Sequence, residues 1–230
     1  MNVSPERQRL IGRFAWVLAW VGLVLGQLHA LARHNTVDGA KDLDLPLTRL
    51  WSDPAQSLLK PLLDWADADT VYLTYGKIWF PVFLAFTLCA LVVYRRRQSA
   101  GFERVAWRIT LTGYVLACVG VFLTYYTMWT GYLPASFADP MFFLSVIGLL
   151  ISVIGSTLLG IALLRRHFRP SAPAWLLALS IPILLVVFQV TSMGSAALPW
   201  MFAFGILGHR MATERSFSAA AAPAEQRVAG

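Results

Sequence analysis

The feature that most constrains this chain is the alternation of long apolar runs with short arginine-rich segments. The runs are roughly 17 to 24 residues long, the length that a helix needs to span a hydrocarbon core of about 30 Å. Only 13% of the 230 residues are charged and 57% are hydrophobic, whereas about a quarter of a soluble domain is charged. The sequence therefore predicts an all-α, polytopic membrane helical bundle.

The last apolar run, residues 174–208, is too long for a single crossing. About 35 residues would form a helix of roughly 52 Å. Turn-forming residues lie near the middle of the run: Ser192, Gly194, Ser195 and Pro199. Reading the run as two helices gives six predicted transmembrane helices, at about residues 14–32, 78–94, 107–129, 141–164, 174–190 and 196–211.

Lysine and arginine are distributed unevenly along the chain. Of the 19 basic residues, 14 fall in the N-terminal segment, the second and fourth connections and the C-terminal tail, while five share the first connection with seven aspartates. Because basic connections stay in the cytoplasm, we expect a multi-pass protein of the cell membrane with both termini cytoplasmic. The same distribution explains the net charge of +7 through contact with the lipid bilayer, without a nucleic-acid partner.

The two ends of the chain allow further expectations. The arginines at 7–13, the apolar stretch after them and Ala30–Leu31–Ala32 also resemble a cleavable signal peptide, and cleavage would leave five spans in the same orientation. We predict one membrane domain, residues 1–212, followed by a disordered cytoplasmic tail, residues 213–230, which is small and polar and has little to bury.

The long first connection contains the sequence DPAQSLLKPLLDW, which is typical of a short amphipathic helix. Asp53 suits the N-cap and Pro54 the first helical position. The leucines then fall on one side, and Pro61 should kink or shorten the helix. We expect this helix to lie on the outer membrane surface or across the mouth of the bundle.

Small residues recur at four-residue steps within predicted spans. Helices in lipid associate through close fit, so such stripes predict helix packing. The residues concerned are Gly22, Gly26, Gly148, Ser152, Ser156 and Gly160. Trp16, Trp107 and Trp175 each follow a basic connection, which predicts an aromatic belt at the membrane interface.

Ionisable residues are absent from the deep parts of the six predicted spans, which disfavours proton-coupled transport by a membrane carboxylate. His167 and His209 lie at the ends of spans, where they suit helix C-termini better than a haem. Ser156 and His209 are not at matching depth, so an intramembrane serine protease is not indicated. We expect no catalytic residues, metal or cofactor, and whether the protein is an enzyme stays uncertain, leaning to no.

Uncharged polar side chains gather at one depth toward the predicted outer side. The candidates are Gln27, His29, Tyr125, Tyr126, Gln189 and Thr191. They could tie helices together through hydrogen bonds worth roughly 1 kcal/mol each. Alternatively, they could line an outward-facing pocket covered by the amphipathic helix.

Two functions remain open from the sequence. The first is a non-catalytic accessory or scaffold protein that packs against another membrane protein; the small-residue stripes and the lack of catalytic groups favour it. The second is a transporter-like or lipid-handling or small-molecule-handling protein, which the polar and aromatic layer favours.

Overall fold

The computed structural model of the chain describes residues 4–97, 99–127, 138–191 and 193–221. These residues form helices and no strand, so the all-α prediction is confirmed. The helices are α1 (Pro5–His34), α2 (Pro46–Leu63), α3 (Ala68–Gly76), α4 (Trp79–Arg96), α5 (Phe102–Phe122), α6 (Ala138–Arg165), α7 (Ser171–Ala178), α8 (Ser180–Val190) and α9 (Leu198–Ala221). Short 3₁₀ turns cover Ala40–Asp44 and Met193–Ala197, and a π-helical turn, Leu123–Thr127, extends α5.

Four helical segments are long and apolar enough to cross a membrane. They are Pro5–His34, Ala68–Arg96, Phe102–Thr127 and Pro140–Arg165. Helices α7 and α8 give a fifth candidate if the two, bent by 62° at their junction, count as one span. Over the described residues, α9 is not among these segments. The structure is thus a helical bundle of membrane type with four long candidate spans.

The helix in the first connection is longer than predicted. It begins at Pro46 with Leu45 at the N-cap, and Pro54 and Pro61 both lie inside it, so the predicted start at Asp53 is wrong. Pro46 occupies the first turn, where proline is favoured because its missing N–H has no partner there anyway. A proline inside a helix removes one hydrogen bond, and α2 packs against the bundle through Trp51, Ala55, Leu59 and Leu63.

Two predicted features lie at the edge of what the structure describes. Helix α9 continues to Ala221, into the segment predicted to be disordered, and residues 222–230 lie outside the described part. Ser192 of the predicted last turn also lies outside it, while the 3₁₀ turn Met193–Ala197 separates α8 from α9 at this point.

The two ends of the bundle differ in charge. The basic end is where α4 and α6 finish and α5 begins, and it carries Arg95–Arg97, Arg104, Arg165 and Arg166. Arg96 donates a hydrogen bond to Gln8, which brings the start of α1 to the same end. The opposite end, called the distal end below, contains α2, α3, the C-terminal end of α1 and the π-helical turn.

Small residues lie where helices approach most closely. A methyl group added to Gly113 would come within 2.6 Å of the Ser152 backbone nitrogen, so these positions hold α5 against α6. Further pairs along the same stripe and its neighbours are Gly148 with Ala117, Ser156 with Tyr114, Gly160 with Ala178, Gly22 with Val82 and Gly26 with Trp79. The small residues therefore face other helices of the same chain.

Aromatic side chains fill the interior of the bundle. Trp107, Tyr114, Trp200 and Phe204 are fully buried, and the Tyr114 and Trp200 ring centroids lie 5.6 Å apart. The expectation that Trp107 faces the membrane interface is therefore wrong. A helix entering the bundle directs some of its first side chains inward, and the Trp107 ring lies beside Tyr94, with ring centroids 5.6 Å apart and the ring planes tilted by 40°.

Candidate functional site

A cavity of about 400 Å³ lies in the distal part of the bundle. Its lining side chains come from α1, α2, α3, α4, α5, α6 and α8, from the π-helical turn and from the 3₁₀ turn Ala40–Asp44. The volume falls within the range of about 300–1,000 Å³ that is usual for small-molecule sites. The cavity is therefore large enough to be a binding site.

The bend between α7 and α8 opens this space. Pro182, near the start of α8, cannot donate a hydrogen bond to Ala178, and in a continuous helix its ring would collide with that carbonyl. The Ser180 hydroxyl donates instead to the Leu177 carbonyl at 2.7 Å and accepts from Trp200 Nε1 at 3.0 Å. The bend is thus fixed against α9, and α8 leaves room between itself and α5 and α6.

Most of the cavity wall is apolar. Phe83, Val121 and Leu149 line the interior from α4, α5 and α6. Phe142 and Phe188 line it from the two helices that flank the gap, and they are 49% and 40% exposed. Exposed lining residues on facing helices indicate that the mouth of the cavity lies between α6 and α8, on the side surface of the bundle.

A polar group of side chains closes the other end of the cavity. The His29 ring is buried in α1, and its Nδ1 accepts a hydrogen bond from Trp79 Nε1 at 3.2 Å. Because indole N–H groups only donate, the neutral imidazole carries its proton on Nε2. That nitrogen lies 3.1 Å from the Tyr125 hydroxyl and donates to it.

The second phenol of this group comes from α3. The Tyr72 hydroxyl lies 3.4 Å from the Tyr125 hydroxyl, and the Tyr72 ring stacks on His29 with centroids 4.5 Å apart. Tyr125 belongs to the π-helical turn Leu123–Thr127. Such turns are rare and are frequent at functional sites, and here the turn brings Tyr125 to the imidazole.

An ion pair completes the polar end. Arg33 Nε donates to Asp42 Oδ2 at 2.7 Å, and both residues line the cavity. Arg33 follows His29 by one helical turn, so the two lie on one face of α1. Among the described residues that line the cavity, Arg33 carries the only permanent positive charge and Asp42 the only negative charge.

Helix α2 is hydrogen-bonded to the last residues of α8 at this end of the cavity. The Thr48 hydroxyl donates to the Gln189 carbonyl at 3.3 Å, and Trp51 Nε1 donates to the Val190 carbonyl. The last carbonyls of a helix have no partner within it, so the side chains of α2 supply hydrogen-bond donors to the free carbonyls at the end of α8. Thr48 also lines the cavity, and α2 therefore covers part of it.

The six predicted pocket residues are not all at the cavity. His29, Tyr125 and Thr191 line it. Gln27 lies beside it, with Nε2 donating to Ser195 at 3.4 Å and Oε1 accepting from Thr191 at 3.4 Å. The Gln189 side chain is exposed, and Tyr126 points away and donates to the Lys77 carbonyl at 3.2 Å.

Arg33 and Asp42 were not among the predicted pocket residues. The spacing of Arg33 from His29 is a sequence signal for a shared face, whereas nothing in the sequence pairs Arg33 with Asp42. Comparison of the chain with protein families, with curated proteins and with solved structures gives no match. The function must therefore be inferred from the side chains themselves.

Proposed function

We propose that this protein is a multi-pass membrane protein that binds a small, largely apolar molecule in the distal cavity. The observation that carries this proposal is the cavity itself: apolar walls enclose about 400 Å³, and polar side chains converge at one end. Ligand sites in proteins combine a mostly apolar lining with a few placed polar groups. The residues that would contact the molecule are His29, Tyr72, Val121, Tyr125, Phe142 and Phe188.

The topology belongs to the same proposal. Counting the bent pair α7–α8 as the fifth span and α9 as the sixth gives six crossings, with both termini cytoplasmic in the cell membrane. The support is the uneven charge: 14 of the 19 basic residues fall in the N-terminal segment, the second and fourth connections and the C-terminal tail, and basic connections stay in the cytoplasm. A reporter fused after Gly230 should be active only in the cytoplasm, and activity only outside would contradict this topology.

In this orientation the cavity lies toward the outer leaflet. Its mouth between Phe142 and Phe188 would face lipid tails, so the ligand would enter sideways from the membrane. Helix α2 would lie at the outer interface, because Leu47, Leu50 and Leu58 are exposed on it. Amphipathic helices bury such leucines at the boundary of headgroups and tails.

The test is to identify what the protein retains. The full chain is purified from its membrane in mild detergent, and bound molecules are measured by mass spectrometry. Val121→Trp should remove the retained molecule by filling the cavity, while Val119→Trp, at a side chain that is 44% exposed on the same helix, should keep it. Equal retention by both variants, or no retained molecule in the wild-type protein, would overturn the proposal.

The accessory function expected from the sequence is the alternative. Its main support was the small-residue stripes, and these residues contact helices of the same chain, such as Gly148 against Ala117. They leave no small-residue surface that calls for a partner among the described residues. A stoichiometric protein that co-purifies with both tryptophan variants, with no retained small molecule, would favour this alternative.

A further inference from the structure

The hydrogen bonds at the polar end of the cavity have a direction, and that direction limits what the cavity can bind. Trp79 Nε1 can only donate, and it donates to His29 Nδ1 at 3.2 Å. His29 therefore donates through Nε2 to the Tyr125 oxygen, 3.1 Å away. In this series of hydrogen bonds, each donor therefore points from α4 toward the two phenols.

The two phenols together have one proton too many. The Tyr72 and Tyr125 oxygens are 3.4 Å apart, and one hydroxyl can donate to the other. Within the described part of the chain, no other acceptor lies in hydrogen-bond range of either hydroxyl. Arg33 lies beside Tyr72, but a guanidinium has no acceptor to offer. One phenolic O–H is therefore left to point into the cavity.

The charge at this end is balanced. Arg33 is paired with Asp42 at 2.7 Å, and His29 is neutral because its Nδ1 accepts a hydrogen bond. An anionic group would add a second negative charge beside the single Arg33 guanidinium, which Asp42 already neutralises, so the described lining residues offer it no net positive charge. A cationic group would compete with Arg33 for Asp42.

We infer that the ligand is an apolar molecule carrying one neutral hydrogen-bond acceptor of the carbonyl type, which receives the free phenolic proton of the Tyr72–Tyr125 pair. This inference rests on the proposed function, since it names the chemical class that the same cavity takes. The apolar remainder of the molecule packs against Val121, Leu149 and Phe188. A buried donor left without a partner is costly, so the site selects for the acceptor.

The wild-type protein tests the inference with three probes of equal chain length: 2-tetradecanone, tetradecane and tetradecyl phosphate. Binding is measured on the full chain in detergent as the dependence of the melting temperature on probe concentration. The shift seen with Val121→Trp is subtracted as non-specific partitioning. The ketone should bind about tenfold more tightly than the alkane, the value expected for one buried hydrogen bond, and the phosphate more weakly than the ketone.

Phenol variants sharpen the test. Tyr72→Phe alone should keep the preference for the ketone, because the Tyr125 proton is then free to point into the cavity. The double variant Tyr72→Phe with Tyr125→Phe should lose most of it while still binding tetradecane. Tyr126→Phe is the matched control, since Tyr126 lies on the same π-helical turn and bonds outside the cavity.

The outcomes separate the two proposals. Equal affinity for ketone and alkane, or tightest binding of the phosphate, overturns the acceptor inference and leaves the cavity as a binding site. A double variant that folds and keeps the ketone preference also overturns it. Failure of every probe in the wild-type protein, together with no retained molecule after purification, overturns both. If the double variant does not fold, the wild-type probe series decides.

Discussion

The basic end and the distal end of this bundle handle polar groups in opposite ways. At the basic end the Glu103 carboxylate is buried and paired with Arg97 and with Arg166, the latter at 3.3 Å. Helices α1 and α9 meet there through Gly12 and Gly208, with no side chain between them. At the distal end, polar side chains stand at one end of a cavity whose walls are mostly apolar. The distal cavity is the candidate ligand site because its polar side chains stand at one end of an apolar space, whereas the buried Glu103 carboxylate at the basic end is already neutralised by two arginines.

The largest expected effect comes from a substitution at the basic end, where α1 and α9 meet. Gly208→Leu should destabilise the protein by about 3 kcal/mol or more, because a side chain there runs into Gly12 backbone atoms, which cannot move aside as a side chain can. Melting in detergent, followed by circular dichroism, measures this. Gly205→Ala is the control, since its added methyl group would meet mainly side-chain atoms at 3.2 Å or more. Equal melting of both variants would contradict the close contact.

The second effect concerns the buried carboxylate. Glu103→Gln should cost about 2 kcal/mol, less than a fully buried pair, because the Arg97 and Arg166 side chains are 26% and 53% exposed. Asp64→Asn removes one charge from the pair with Lys60, whose side chains are 69% and 74% exposed, and should cost less than about 0.5 kcal/mol. Comparable losses in the two variants would show that burial of Glu103 contributes nothing.

Added bulk at the distal end should be tolerated, in contrast to added bulk at Gly208. Val121→Trp places a larger ring into the cavity, so we expect the free energy of unfolding to change by less than about 1 kcal/mol. The same melting experiment gives the value. A loss as large as that of Gly208→Leu would mean that the cavity is not available space.

The smallest effect concerns the start of α3, which carries Tyr72. Hydrogen bonds from the Thr70 hydroxyl and amide hold the pKa of Asp67 below its usual value, and the amide distance is 2.9 Å. A lowered pKa in the folded state adds stability at neutral pH, and this is lost as the pH falls through the lowered pKa. Melting temperatures across the acidic range should therefore fall less in Asp67→Asn, which keeps the cap, than in the wild-type protein. Parallel curves would contradict this role.

Hydropathy predicts the four long apolar helices of this fold, because long apolar runs leave the backbone no other way to satisfy its hydrogen bonds in lipid. Depth along a helix is also readable from sequence, and it put His29, Tyr125 and Thr191 at one level. The sequence does not reveal the rotation of a helix about its axis. Gln189 and Tyr126 lie at the same depth and face elsewhere.

Other features depend on tertiary contacts that no local pattern reveals. Trp107 follows a basic connection as interfacial tryptophans do, yet it is fully buried. The Arg33–Asp42 pair joins the last turn of α1 to the connection that follows it, and the sequence does not specify the course of that connection. Pro182 is a recognisable helix breaker. The sequence does not show, however, that Ser180 packs on Trp200 at the bend, which places α8 along the cavity.

A structure of the full chain determined in a lipid nanodisc would show whether the distal cavity holds a molecule from the membrane. We expect elongated non-protein density between α6 and α8, with its polar end within hydrogen-bond distance of the Tyr72 or Tyr125 hydroxyl. Phe142 and Phe188 packed together over a closed, empty interior would contradict it.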